Sequence, residues 1–166
     1  MPSLYYLNVT IHVLAAMLWL GGMFFLALVG APVLRQVEPP ALRAKLFSEL
    51  GLRFRTAGWG TIAVLVVTGV FNLHYRGLLS AAVWSWGSPF WHTPMGHALA
   101  WKLLSVAAMI AVSGVHDLIQ GPAAGRMQPG SPESQKARRR AMLLARLNAI
   151  LGVVIVIAAV HLARGG

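Results

Sequence analysis

The chain of 166 residues is 57% hydrophobic and only 11% charged, with a mean hydropathy of +0.67; soluble domains carry about 25% charged residues, so an ordinary soluble globule is excluded. Its 14 Lys and Arg against 4 Asp and Glu give a net charge of +10, a balance that indicates nucleic acid in a soluble protein and topology in a membrane protein. Cysteine is absent, which excludes disulfides, iron–sulfur clusters, thiolate metal sites and the covalent attachment of c-type haem. Six histidines are left to hold a cofactor.

A membrane-spanning helix needs about 20 mostly apolar residues, and four segments approach or exceed that length. The first covers residues 4–34 without a Lys, Arg, Asp or Glu; at about 1.5 Å per residue it exceeds a ~30 Å hydrocarbon core, so it should tilt or protrude. It lacks a basic leader and is too long for the apolar region of a signal peptide, so it is expected to stay in the protein. Pro39-Pro40 then suits a helix start. After it Leu42, Leu46, Phe47, Leu50 and Phe54 recur at helical spacing, with Arg43, Lys45, Glu49 and Arg53 on other faces. This short amphipathic cytoplasmic helix either lies on the membrane or extends the second span, residues 56–73. The loop over 74–97 gathers Trp84, Trp86, Phe90 and Trp91, as interfacial aromatics do, and can also serve as a lid. The third span covers 98–118 with Lys102 as its interior cation, the Gly-, Pro- and Ser-rich stretch 121–134 reads as a flexible connection, and the fourth span covers 147–162. The expectation is one transmembrane domain over residues 1–166, an all-α integral membrane four-helix bundle.

Loop charges orient it. Arg35, Arg43, Lys45, Arg53 and Arg55 fall between the first two spans, and Arg126, Lys136, Arg138, Arg139, Arg140 and Arg146 between the last two; beyond these and Lys102, only Arg76 and Arg164 remain. By the positive-inside rule the basic loops face the cytoplasm, and both termini and the aromatic loop face outward. The protein is therefore expected in the inner (plasma) membrane, N-out and C-out. The basic run 136–140 reads as an anchor beside anionic membrane lipid, not as a nucleic-acid site.

This topology gives each histidine a depth. His12 lies about two turns inside the first span, beneath Tyr5 and Tyr6. His74 closes the second span, His97 opens the third, His161 sits near the outer end of the fourth and His92 lies in the aromatic loop; only His116, beside Asp117, is at the cytoplasmic end. Taken singly, His74, His97 and His161 are explained by an interfacial position. His12 is not, because an ionisable group at membrane depth is costly and functional by default. Asn8, His12, Ala16, Trp19 and Met23 share one helix face with Ala15 and Gly22 beside it, where small residues either allow close helix packing or leave room for a flat macrocycle. Leu147, Val154, Ile157, Ala158 and His161 make a similar stripe on the fourth span. Lys102 lies about 7 Å inward from His97, on a weakly polar face with Ser105, Met109, Ser113 and His116. It either snorkels to the interface or serves a site, by neutralising a haem propionate, binding an anionic substrate or carrying a proton.

Two cofactors suit these residues, and they can coexist. Haem b, the first choice, needs one or two axial imidazoles, an apolar slot and cations for its propionates; its candidates are His12, His74, His161, His97, Lys102 and Trp19, with His12 paired to His74 preferred. Copper, the second, takes two to four His or Met ligands. The segment His92-Thr93-Pro94-Met95-Gly96-His97 offers three, and His12, His74 and His161 complete the metal candidates. No His-Glu-x-x-His pattern for zinc occurs.

The stretch from His12 to Gly22, in which Trp19, Gly21 and Gly22 follow the histidine, resembles the first helix of the copper-resistance D (CopD) family of four-helix membrane proteins. Trp101-Lys102-Leu103-Leu104, followed by His116-Asp117 and a basic loop, resembles the third helix of the HemJ-type protoporphyrinogen oxidases; their pattern also has a His close before the Lys, where this chain has Leu99, Ala100 and Trp101. The first resemblance implies copper handling. The second implies that His12 and Lys102 form a functional pair with haem or a porphyrin.

The leading expectation is a membrane b-type haem protein, an oxidoreductase in electron transfer or redox chemistry near the outer face. Its partner would be a quinone or a periplasmic redox protein, and an oligomer is compatible with it. The alternatives are copper transport or resistance through His and Met, a HemJ-like porphyrinogen oxidase and, last, a structural subunit without cofactor.

Overall fold

In the computed structural model, which describes residues 2–120 and 131–165, every regular element is helical. Among the described residues, four helical stretches are long and apolar enough to cross a membrane: Ser3–Arg35, Pro40–Tyr75, Pro94–Ile119 and Gln135–Ala163. The protein is thus an all-α, multi-pass membrane protein, as its composition requires. Contacts divide it into two compact units, Met1–Ser80 and Ala81–Gly166, each built on a helical hairpin. Most of the expected flexible connection, including Arg126, falls at 121–130, outside the described residues.

The first hairpin pairs α1 (Pro2–Phe25) with α3 (Pro40–Tyr75). Its register is antiparallel: Tyr5 meets Tyr75 edge-on at 5.6 Å between ring centroids, Asn8 reaches Asn72, and His12 reaches Thr68. A Cβ placed on Gly22 would lie 2.8 Å from the Phe54 ring, and one on Gly30 would lie 3.9 Å from Leu50. These last contacts decide between the two arrangements open to the amphipathic segment. Its apolar stripe meets the second half of the first span, at Gly22 and Gly30, and it extends the second span as one continuous helix. Gly22 accordingly serves close packing, by making room for an aromatic ring.

The first span is not uniformly α. After Phe25 it widens into a π turn, Leu26–Gly30, closed by the Ala31 amide bonding the Leu26 carbonyl, before the short α2 (Ala31–Arg35). Pro32 accounts for this, because proline has no N–H for the carbonyl four residues back and its ring crowds that carbonyl. At the other end of the hairpin, α3 stops in a Schellman motif. The Leu78 amide bonds the Leu73 carbonyl and the Gly77 amide bonds the His74 carbonyl, each at 2.9 Å, with Gly77 at φ +69. Glycine takes that left-handed conformation without the steric cost of a Cβ.

The second hairpin pairs α5 (Pro94–Gly114) with α6 (Pro132–Ala163). The described part of α6 begins well before the expected residue 147. Ser131-Pro132-Glu133 is a helix-start pattern, with proline in the first turn and an acidic residue complementing the dipole. The basic residues that follow are strong helix formers, and Lys136, Arg139, Arg140 and Arg146 are exposed along it. Hydropathy alone marked only the lipid-spanning part. The α5 face buried in the hairpin carries Gly96, Leu99, Ser105, Met109 and Ser113. Across from Ser113, the Asn148 amide donates to its hydroxyl at 2.8 Å, while Asn148 Oδ1 is buried without a hydrogen-bond partner. Replacing Ser113 by Ala leaves both amide atoms of Asn148 unsatisfied. We expect a loss of about 1–2 kcal/mol in a reversible denaturation assay, recovered in the Ser113→Ala, Asn148→Leu double variant; an unaltered Ser113→Ala midpoint counts against this pairing.

Before α5, the aromatic loop carries a short α4 (Ala81–Trp84) and a 3-10 turn, Pro89–His92. Trp91 donates its indole N–H to the Val83 carbonyl at 2.8 Å and packs edge-on against Trp84 and Phe90. Thr93 caps α5: its hydroxyl accepts from the Gly96 amide at 3.0 Å and donates to the Phe90 carbonyl at 2.6 Å. Pro94 follows in the first turn. Trp86 is fully exposed at the loop's tip.

Candidate functional site in the first hairpin

The first hairpin holds a polar cluster inside its span. His12 Nδ1 lies 2.7 Å from Thr68 Oγ1. One turn away on α1, the Asn8 amide donates both to the Thr68 carbonyl at 3.0 Å and to Asn72 Oδ1 at 2.8 Å. Thr68 is buried and its hydroxyl lies 2.6 Å from the Val64 carbonyl. The His12 ring packs over Gly69, where a Cβ would lie 3.5 Å from its Cε1. Four polar side chains thus satisfy one another where water is scarce, as burial in lipid demands.

Sequence reasoning singled out Asn8 and His12 but missed Thr68 and Asn72. The signal was present: Thr68 and Asn72 are spaced i, i+4 in an apolar span, the spacing of Asn8 and His12. Antiparallel pairing of two such helices brings the pairs together.

Trp19 is buried in this hairpin about two turns below His12. His74, the preferred partner of His12, takes another place. It is exposed, stacks edge-on against Tyr75 and lies about 8 Å further along α3 than Gly69. Being two residues past Asn72, it also points from a different helix face. From α3, Thr68 and Gly69 meet the His12 ring.

The second hairpin brings His97 and His161 to one groove. It has a volume of about 320 Å³ and is lined by Pro94, Ala98 and Trp101 of α5 and by Val154, Ile157 and Ala158 of α6. The stripe read on the fourth span from Val154 to His161 is the α6 wall of this groove. His92 is exposed on the 3-10 turn, and Met95 is half-buried at the start of α5. Lys102 is half-buried on the α5 face that carries Leu99 and Ser105. His116 Nδ1 lies 2.8 Å from Asp117 Oδ1 within the π turn Val115–Gln120, away from the groove. Among the described residues, no three His, Cys, Asp or Glu side chains converge as a metal-binding group.

These features define a class: multi-pass α-helical membrane proteins that keep a histidine in a polar network inside a span. The family described as copper resistance protein D matches residues 48–162, and the chain belongs to it. The matched segment includes Thr68, Lys102 and the groove histidines; His12 precedes it. The chain is also similar to an uncharacterized protein of Aquifex aeolicus (strain VF5), 32% identical over 156 residues that cover 93% of this chain and 92% of the relative. No solved structure matches.

Proposed function

We propose that this copper-resistance-family protein is a membrane redox protein that binds haem b through His12, oriented with both termini outside and both basic loops in the cytoplasm. The observation that carries the reading is the place of His12. It is the one His, Lys, Arg, Asp or Glu in residues 1–34, it lies at membrane depth, and a hydrogen bond to Thr68 holds it. Ionisable groups are kept at that depth for function. Metal-binding imidazoles are characteristically held in this way through their second nitrogen. His12 supplies one of the one or two imidazoles that haem asks for, from within an apolar span. When bound, it supplies a one-electron iron couple.

The groove with His97 and His161 suits the partner. Its lining is apolar apart from the two imidazoles, and Trp101 and Ile157 are exposed along the span. A lipid-soluble quinone carries a matching apolar tail and hydrogen-bonding oxygens.

A second reading, copper binding, is favoured by the family description and by His92, Met95 and His97, since imidazole and thioether both suit copper. Absorption spectra of the detergent-purified protein, air-oxidised and dithionite-reduced, together with metal analysis, separate the two. The first reading predicts a Soret band, a reduced α band and iron stoichiometric with the haem. A colourless preparation carrying copper supports the second reading and removes the first.

A further inference from the structure

We infer that Thr68 fixes the tautomer of His12 and so makes Nε2 the atom that coordinates metal. This deepens the haem reading and rests on it for the identity of the ligand, whereas the tautomer itself does not depend on haem. Thr68 Oγ1 stands 2.6 Å from the Val64 carbonyl oxygen and 2.7 Å from His12 Nδ1. Two oxygens approach that closely through a shared proton, and a carbonyl has none to give. The Thr68 proton therefore goes to Val64, the back-bond that a threonine inside a helix makes to the residue four before it.

A hydroxyl has one proton, so towards His12 it can only accept. The proton on that bond belongs to the imidazole, with Nδ1–H donating to Oγ1. A neutral imidazole carries a single N–H, which places the basic lone pair on Nε2. The opposite assignment, Thr68 donating to Nδ1, leaves two oxygens 2.6 Å apart with no proton between them.

The rest of the cluster holds this geometry. Asn8 grips the Thr68 carbonyl and Asn72 from α1, one turn before His12. The imidazole rests over Gly69, where a Cβ would make ordinary van der Waals contact with Cε1 at 3.5 Å. At 7% exposure, Thr68 is shielded from exchanging its partner for solvent. It is a positioning residue, acting through His12.

The test uses the full chain in lipid nanodiscs, labelled with 15N-histidine, with the His12 signals identified by their loss in His12→Ala. Wild type and Thr68→Ser should show His12 protonated at Nδ1 and unprotonated at Nε2. Thr68→Val, which keeps the shape and removes the hydroxyl, should lose that preference. In haem titrations Thr68→Val should bind about 10- to 100-fold more weakly, the usual cost of removing a partner of a metal-bound histidine, with Thr68→Ser near wild type. An Nε2–H tautomer in the wild type overturns the inference, and that measurement stands even if Thr68→Val does not fold. A folded Thr68→Val with unchanged tautomer and haem affinity overturns it as well. Wild-type protein that takes up no haem, yet carries His12 as the Nδ1–H form, removes the haem reading and upholds the role of Thr68.

Discussion

Gly96→Ala should lower the stability of the second hairpin by about 3 kcal/mol or more, the upper range for forcing atoms into a filled space. The cause is contact, not backbone conformation: Gly96 is buried in the first turn of α5, and its φ is not among the positive ones. A Cβ there would overlap the Phe90 carbonyl oxygen and lie 2.9 Å from both the Phe90 carbonyl carbon and the Trp91 Cα. All three are backbone atoms, so no rotamer change relieves the clash. The 3-10 turn would have to lift off α5, breaking the Thr93 cap and drawing Trp91 away from Val83 and Trp84. The change should therefore register twice, as a lower midpoint in thermal unfolding and as loss of the tryptophan near-ultraviolet circular dichroism. Gly51→Ala provides the control. Nothing lies within 4 Å of a Cβ at Gly51, so the helix-propensity gain of up to about 1 kcal/mol should be all that is seen. Equal behaviour of the two variants would refute this account of the loop.

On the proposed haem reading, His12→Ala should abolish the haem spectrum while leaving the fold almost intact. Loss of the imidazole that would hold haem exceeds the ~10- to 100-fold cost of disturbing a residue behind it, so haem should not survive purification. The structural penalty is small because the Thr68 hydroxyl keeps its bond to the Val64 carbonyl, and Asn8 keeps Asn72 and the Thr68 carbonyl. One interhelical hydrogen bond in a membrane is worth about 0.6 kcal/mol on average. Unfolding midpoints of the haem-free wild type and variant should nearly coincide. An unchanged Soret band in His12→Ala would move the haem ligand elsewhere, with His97 and His161 next to be replaced.

The spans were legible because lipid imposes a strong rule: a long apolar segment has to satisfy its own backbone, and a helix does so. Hydropathy reports where lipid ends, not where a helix ends. It marks neither the continuation of α3 back to Pro40, which the Pro39-Pro40 start and the helical spacing of Leu42 to Phe54 offered as one of two arrangements, nor that of α6 back to Pro132, where helix formers and a start signal carry the helix on. His12 was legible because ionisable groups are rare at depth. Thr68 carries a weaker signal, its i, i+4 spacing to Asn72, because a threonine in a span is cheap when it bonds back to its own helix; the register of α1 against α3 gives it the second role. His97 and His161 were read as residues of two separate helix ends. Their common groove depends on the pairing of α5 with α6, which periodicity along one helix does not encode.

The two π turns, Leu26–Gly30 and Val115–Gln120, have a consequence for how this chain tolerates insertions and deletions. A π turn holds one residue more than the α-helical turn it replaces. Deleting a residue from Leu26–Gly30 can be absorbed by tightening the turn, so that α1 and α2 keep their facing. The same deletion between Asn8 and Trp19 would rotate everything on one side of it by about 100°, and with it one part of the surface that meets α3. Slack in chain length is thus stored away from His12, and the spacing from Asn8 to Trp19 in α1 is tied to that from Thr61 to Asn72 in α3.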